Sequence, residues 1–121
     1  MASRQTDPRA LELADRVFGL VEVITGSEEY HTSDPEDPLG RLHIATSLLL
    51  RNLSLAATEA APTEYASLLR VARRHAATGV HLLVGCCEQG LPQAESVLET
   101  MAGVVRELDE ILRDRAAEAE A

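Results

Sequence analysis

Half of the four histidines and both cysteines lie between residues 75 and 90, in HAATGVHLLVGCCEQG. Histidine and cysteine are common zinc ligands, so the spacing decides whether they form a site. His75 and Cys86 share one face of a helix but are eleven residues apart, about 16 Å along the axis. His81 falls on the opposite face, and Cys87 lies at the edge of the apolar stripe. No pair has the i, i+3 or i+4 spacing of a shared ligand set, so we predict a packed helix and no metal or redox site.

The other residues capable of chemistry lack a catalytic arrangement. A di-iron bundle needs two Glu-x-x-His motifs and further carboxylates, and the single copy here is Glu28 to His31. Ser47 and Ser54 come near His43 by helical spacing, but no oxyanion hole is evident there. Phosphate-binding and hydrolase motifs are absent. We therefore expect no enzymatic activity, no catalytic residue and no cofactor.

Composition predicts one helical domain. The 121 residues contain one Phe, two Tyr and no Trp, so aliphatic residues and alanine must build the core, which favours helices over strands. The formal net charge of −9 repels nucleic acid and anionic membranes. No apolar signal-peptide core and no run of ~18 apolar residues is present, and two adjacent cysteines are not a disulfide framework. These features predict a cytoplasmic protein that does not enter membranes.

Helix signals predict an all-α, antiparallel up-and-down four-helix bundle that spans residues 1–121 as a single domain. Asp7 and Pro8 suit the start of helix 1. Pro62 breaks the chain and Thr63 can cap helix 3, while Gly90 suits the end of that helix. Pro92 is expected to open helix 4. The expected helices cover about residues 8–25, 39–60, 64–89 and 92–115, with an acidic loop at 26–38 and a frayed acidic tail at 116–121.

Helix 1 and helix 2 each carry apolar residues at helical spacing. In helix 1 one face holds Leu11, Ala14, Phe18, Val21 and Thr25, with Val17, Leu20 and Ile24 beside it. In helix 2 one stripe holds Leu42, Ala45, Leu49, Leu53, Ala56 and Ala60, and Ile44, Leu48 and Leu55 form a second stripe. A bundle helix needs an apolar arc of only about 100°, and the arc of helix 2 approaches 180°. This width favours a subunit interface, although a broadly buried helix in a monomer would have the same pattern.

Polar residues on the helices suggest two further roles. Asn52 and His75 fall on apolar faces and are expected to be hydrogen-bonded structural residues of the core. The outward face of helix 3 concentrates basic charge, which could pair with acids of a neighbouring subunit, bind phosphate or remain solvated. The residues expected at a subunit interface are Ile44, Leu48, Leu55, Arg70, Arg73, Arg74, Ala77, His81 and Val84.

From about residue 39 to 113 the chain resembles the four-helix-bundle family of the 23S rRNA intervening-sequence proteins. The similarity rests on LHIATSLLLRNLSLAATEA, TEYASLLRVARRHAAT and HLLVGCCEQGLPQAESVLETMAGVVRELDEIL. The matching positions are Asn52, Glu64, Tyr65, Leu69, Ala72, Gly90 and Leu91. The family's polar signature is replaced at three places, by Leu48 to Leu50, by Leu55 and Ala56, and by Arg74, His75 and Thr78, as in a diverged member.

The resemblance implies a non-enzymatic bacterial bundle that assembles as a homo-oligomer, with a homopentamer as the precedent and no defined cellular role. We therefore expect a self-associating scaffold or adaptor whose partner is itself. The chain more distantly resembles the accessory variability proteins of diversity-generating retroelements, which are basic and associate with a reverse transcriptase and nucleic acid. The alternative function is accordingly that of an accessory protein. Its partner, bound through the arginines of helix 3, would be either nucleic acid or an enzyme that acts on nucleic acid.

Overall fold

The computed structural model describes residues 8–26, 36–58 and 61–120. Four helices and no strand occur within these ranges: α1 (Pro8–Thr25), α2 (Pro38–Thr58), α3 (Pro62–Glu88) and α4 (Ala94–Glu120). α2 packs against both α1 and α3, α3 packs against α4, and α1 closes the bundle with a smaller contact to α4. The prediction of an all-α, up-and-down four-helix bundle is confirmed.

The start of α3 differs from the prediction. Ala61 is the N-cap residue and makes no side-chain hydrogen bond to the helix, and Pro62 is the first helical residue. Thr63 lies inside the helix, so its predicted capping role is wrong. Proline at the first position costs no hydrogen bond and fixes φ in the helical range, which explains the earlier start. Asp7 and most of the predicted acidic loop, with Glu28 and His31, lie outside the described residues.

The turn between α3 and α4 ends α3 and determines where α4 begins. Gly90 has a φ of 72°, and its N–H donates to Cys87 O at 3.0 Å while Leu91 N–H donates to Cys86 O at 3.1 Å. This pair of bonds is a Schellman cap, which needs the left-handed conformation that glycine adopts without strain. α4 then begins at Ala94 rather than at Pro92, because Gln93, with φ 65°, keeps the chain out of the helix.

The end of α4 also differs from the prediction. A frayed tail is expected from residue 116, but the helix continues to Glu120. Alanine and glutamate favour helix in this segment. Arg115 adds two contacts, since its guanidinium lies 4.2 Å from the centre of the Tyr65 ring and 3.6 Å from the Glu118 carboxylate. The contact with Tyr65 ties this part of α4 to α3, and the ion pair with Glu118 lies within α4.

The core runs along the axis of the bundle and consists mainly of aliphatic side chains. Its largest fully buried members are Tyr65, Leu13, Leu42, Leu49, Leu53, Leu69, Leu83, Met101, Leu108 and Ile111. α3 and α4 approach closely at Gly79, where a Cβ would lie 3.1 Å from Met101 Cε. Thr46 is the buried polar residue among those described, and its Oγ1 donates to Leu42 O at 2.8 Å. The surface residues are therefore held on helices that pack around an apolar core.

Candidate functional site on the outer faces of the bundle

The outward face of α3 carries a continuous ridge of basic and apolar residues. We call Arg70, Arg74, Ala77, His81 and Val84 the α3 stripe. Their spacing of four, three, four and three residues places them in one line along the helix. Four of them are exposed, Val84 at 43%, and Ala77 is half-buried. The stripe thus presents positive charge at one end and apolar surface at the other.

Arg73, predicted at the same interface, lies instead in the seam between α3 and α4. Its Nε donates to Asp109 Oδ1 at 2.5 Å, and its Nη2 donates to Oδ2 at 3.4 Å. The hydrogen bond and then the charge of Asp109 raise the pKa of the Arg73 guanidinium above its usual value. Because its donors are directed at α4, Arg73 is a contact within the chain rather than part of the outward face.

The second apolar stripe of α2 is less open than the sequence suggests. Leu48 is 38% exposed, whereas Ile44 and Leu55 are half-buried. We call these three residues the α2 line. The first stripe of α2 is buried at every described member, and Ala60 lies outside the described residues. Much of the wide apolar arc is therefore used inside the chain, and Leu48 is its exposed point.

The outward face of α1 is the apolar surface that the sequence interpretation missed. Leu11 is 51% exposed and Phe18 is 55% exposed, although both were grouped with the apolar face of helix 1. The buried face instead consists of Ala10, Leu13, Ala14, Val17, Leu20 and Ile24. Asp15 and Glu22 are exposed between and beyond the two apolar residues. We call Leu11, Asp15, Phe18 and Glu22 the α1 stripe. The two acids at this spacing are the feature of the sequence that indicates an outward face.

Asn52 and His75 do not lie in the core, contrary to the prediction. Both are half-buried. Asn52 Nδ2 donates to Leu48 O at 2.9 Å within its own helix. Burial, and to a lesser degree the charge of Arg74, lower the pKa of the His75 imidazole. Both residues therefore stand at the margin of the packed interior.

One end of the bundle contains a pocket of about 290 Å³, where α1 and α3 end and α2 and α4 begin. Cys86 lines it and is buried, and Cys87 is half-buried. Burial, followed by the charges of Cys87 and Asp37, raises the pKa of the Cys86 thiol. A protonated thiol is a weak nucleophile. The pocket is therefore lined by both polar and apolar surface, and burial keeps its thiol protonated.

The described residues contain no group of three or more His, Cys, Asp or Glu placed to hold a metal ion. None of the helices in the described ranges is long and apolar enough to cross a membrane. Comparisons with protein-family models, curated proteins and solved structures find no match to this chain. Fold and surface together define a four-helix bundle whose outer faces carry ridges of mixed charged and apolar residues.

Proposed function

We propose that this protein is a non-enzymatic, self-associating helical bundle that acts as a scaffold or adaptor. The observation that carries the proposal is the exposure of Leu11 and Phe18 by more than half on the outward face of α1. Removing apolar surface from water is favourable by about 25 cal/mol per Å². Leu11 and Phe18 lie two turns apart on one face, and large exposed apolar side chains that share a face favour a surface that another molecule covers.

The α2 line and the α3 stripe add to this support. Leu48 and Val84 are the large exposed apolar residues of these two surfaces. A chain of net charge −9 repels its own copies at long range. Self-association must therefore combine apolar contact with local pairing of opposite charges, and the basic α3 stripe provides the positive partner.

The alternative function, binding of nucleic acid or of a nucleic-acid enzyme through the arginines of α3, has weaker support. Arg73 is engaged with Asp109, which leaves Arg70 and Arg74 as the arginines of the stripe. Affinity for nucleic acid grows with the number of phosphates that the protein neutralises, and two arginines on an acidic chain neutralise few. Salt-sensitive retention on RNA that Arg70→Glu and Arg74→Glu abolish would favour this alternative.

The mass in solution tests the proposal directly. Light scattering after gel filtration distinguishes the 13.1 kDa chain from an assembly. The resemblance to the intervening-sequence proteins, of which we propose this chain is a diverged member, implies a ring of five copies, or about 66 kDa. A mass of one chain at every concentration tested would overturn self-association.

The substitution Leu48→Glu tests the α2 line within that assembly. We expect the mass to fall toward that of one chain while circular dichroism stays helical, because a carboxylate cannot be buried against an apolar partner without a large desolvation cost. Ser96→Glu is the matched control, since it adds the same charge at an exposed position of α4. An unchanged mass for Leu48→Glu would show that the α2 line is not part of the interface.

A further inference from the structure

The α1 stripe and the α3 stripe are complementary in charge and equal in spacing. Along α1 the order is Leu11, Asp15, Phe18 and Glu22, with steps of four, three and four residues. Along α3 the steps from Arg70 to Arg74, Ala77 and His81 are the same. Within the described parts of the chain, Asp15, Glu22, Arg70 and Arg74 form no salt bridge. Each stripe thus leaves its charges available to an external partner.

Two ion pairs fix the height of α1 relative to α4. Arg9 Nη1 lies 2.8 Å from Asp114 Oδ2, and Arg16 Nη1 lies 3.1 Å from Glu107 Oε2. The two helices are antiparallel, so moving seven residues along α1 corresponds to moving seven residues back along α4. The residues of α4 therefore provide a common reference for the axial positions of the helices that contact it.

The axial position of α3 relative to α4 follows in the same way. Arg73 pairs with Asp109, and α3 is also antiparallel to α4, so the level of Asp114 corresponds to Leu68. Arg9, which is level with Asp114, is thus level with Leu68, an offset of 59 residues. The pair of Arg16 with Glu107 gives the same offset.

This offset aligns the two stripes member by member. At the same height lie Leu11 and Arg70, Asp15 and Arg74, Phe18 and Ala77, and Glu22 and His81. The stripes cannot meet within one chain, because α1 and α3 occupy opposite corners of the bundle and their described residues are separated by α2 and α4. A second copy placed beside the first, with its helices in the same direction, brings them together without a shift along the axis.

We propose that the α1 stripe of one copy packs against the α3 stripe of the next copy, parallel and level. This inference rests on the proposed self-association and names its surface. Phe18 covers the small Ala77, and Asp15 and Glu22 lie opposite Arg74 and His81. Leu11 packs on the aliphatic stem of Arg70, a common arrangement for long charged side chains.

The contact is heterologous, since it joins two different surfaces of the same chain. Heterologous contacts build a closed ring when rotation returns to the start, and an open helical filament when each step also rises along the axis. Level stripes give no rise along the axis, so whether copies joined in this way form a closed ring depends on the rotation between neighbouring copies. Because α2 packs against both α1 and α3, the α2 line lies on a helix that adjoins the helices of both stripes.

Charge reversal with restoration tests the pairing. Asp15→Arg and Arg74→Glu are each expected to lower the mass from that of the assembly to the 13.1 kDa of one chain. The chain that carries both substitutions is expected to regain the assembly, because the two charges are exchanged rather than lost. Glu99→Arg and Arg113→Glu, both at exposed positions of α4, are the matched controls and should leave the mass unchanged.

Each outcome decides a different point. A wild-type chain that is monomeric overturns self-association itself. If the wild type assembles and each single reversal leaves its mass unchanged, only the pairing of the stripes is overturned. The same follows if the double variant is helical but stays dissociated. Where a reversal prevents folding, Asp15→Asn and Arg74→Gln replace it; each should raise the concentration at which the assembly forms, and an unchanged concentration for both would also overturn the pairing.

Discussion

The charged residues that face α4 differ sharply from those on the outer stripes. Three arginines, Arg9, Arg16 and Arg73, each meet a carboxylate of α4. Arg70 and Arg74, and the acids Asp15 and Glu22, form no salt bridge within the described residues. The same residue types are thus satisfied inside the chain in one region and left unpaired in the other. This difference indicates that the contacts with α4 belong to the fold, and it is the reason why we propose a second molecule at the stripes.

The seams themselves are held mainly by apolar packing. Exposed ion pairs contribute typically 0.2–1 kcal/mol each, while full burial of a large aliphatic side chain contributes about 1.5–3 kcal/mol. The core between α3 and α4 contains many such side chains, including Leu69, Met101 and Leu108. The ion pairs therefore set the register of the helices more than they stabilise the fold.

Truncation of one residue in each region gives the largest contrast. Leu69→Ala should lower the free energy of unfolding by about 2–5 kcal/mol, because it opens a cavity in the packed core. Phe18→Ala should change that of the isolated chain by no more than about 0.5 kcal/mol, yet dissociate the assembly. Urea unfolding of dilute protein measures the first effect, and light scattering the second. A loss for Phe18→Ala as large as that for Leu69→Ala would show that Phe18 stabilises the fold rather than a contact between copies.

Two adjacent arginines sharpen the comparison at smaller scale. Arg73→Ala should reduce stability by about 0.2–1 kcal/mol through loss of the exposed pair with Asp109. Arg74→Ala should leave the unfolding of dilute protein unchanged and raise the concentration at which copies associate. The two variants remove the same side chain one residue apart, so each is the control for the other. The reverse pattern would place Arg74 in the fold and Arg73 at the surface contact.

The sequence predicted the helices well because proline and glycine mark their ends. α1 has the predicted range of 8–25, and Gly90 has the positive φ expected of a helix stop. Errors arose where a local signal competed with another. Pro92 is compatible with a first helical turn, but the left-handed Gln93 delays the start of α4. At the other end, Arg115 is the last residue of the predicted helix and binds Tyr65, and α4 continues past it to Glu120.

The candidate site was predicted only in part, for a physical reason. Helical spacing shows which residues share a face, but it does not show how far each neighbour covers that face. Leu11 and Phe18 were therefore grouped with the buried residues of α1, although the nearby acids favour an outward position. Arg73 is likewise separated from Arg74 by only one residue step, about 100° of rotation, and the position of Asp109 on α4 determines which of the two is paired.

The histidine at the inner margin of α3 should produce the smallest effect. Burial and the charge of Arg74 lower the pKa of His75 in the folded protein, so the unfolded chain binds a proton more tightly. Stability should therefore be fully retained above about pH 6.5, the ordinary histidine pKa, and decrease as the pH falls below it. His75→Gln should flatten this part of the profile of unfolding free energy against pH, whereas Thr78→Gln, an exposed control on the same helix, should leave it unchanged. Equal slopes in wild type and His75→Gln would contradict this prediction. They would mean that His75 has the same pKa in the folded and the unfolded chain, and that burial at the inner margin of α3 does not affect it.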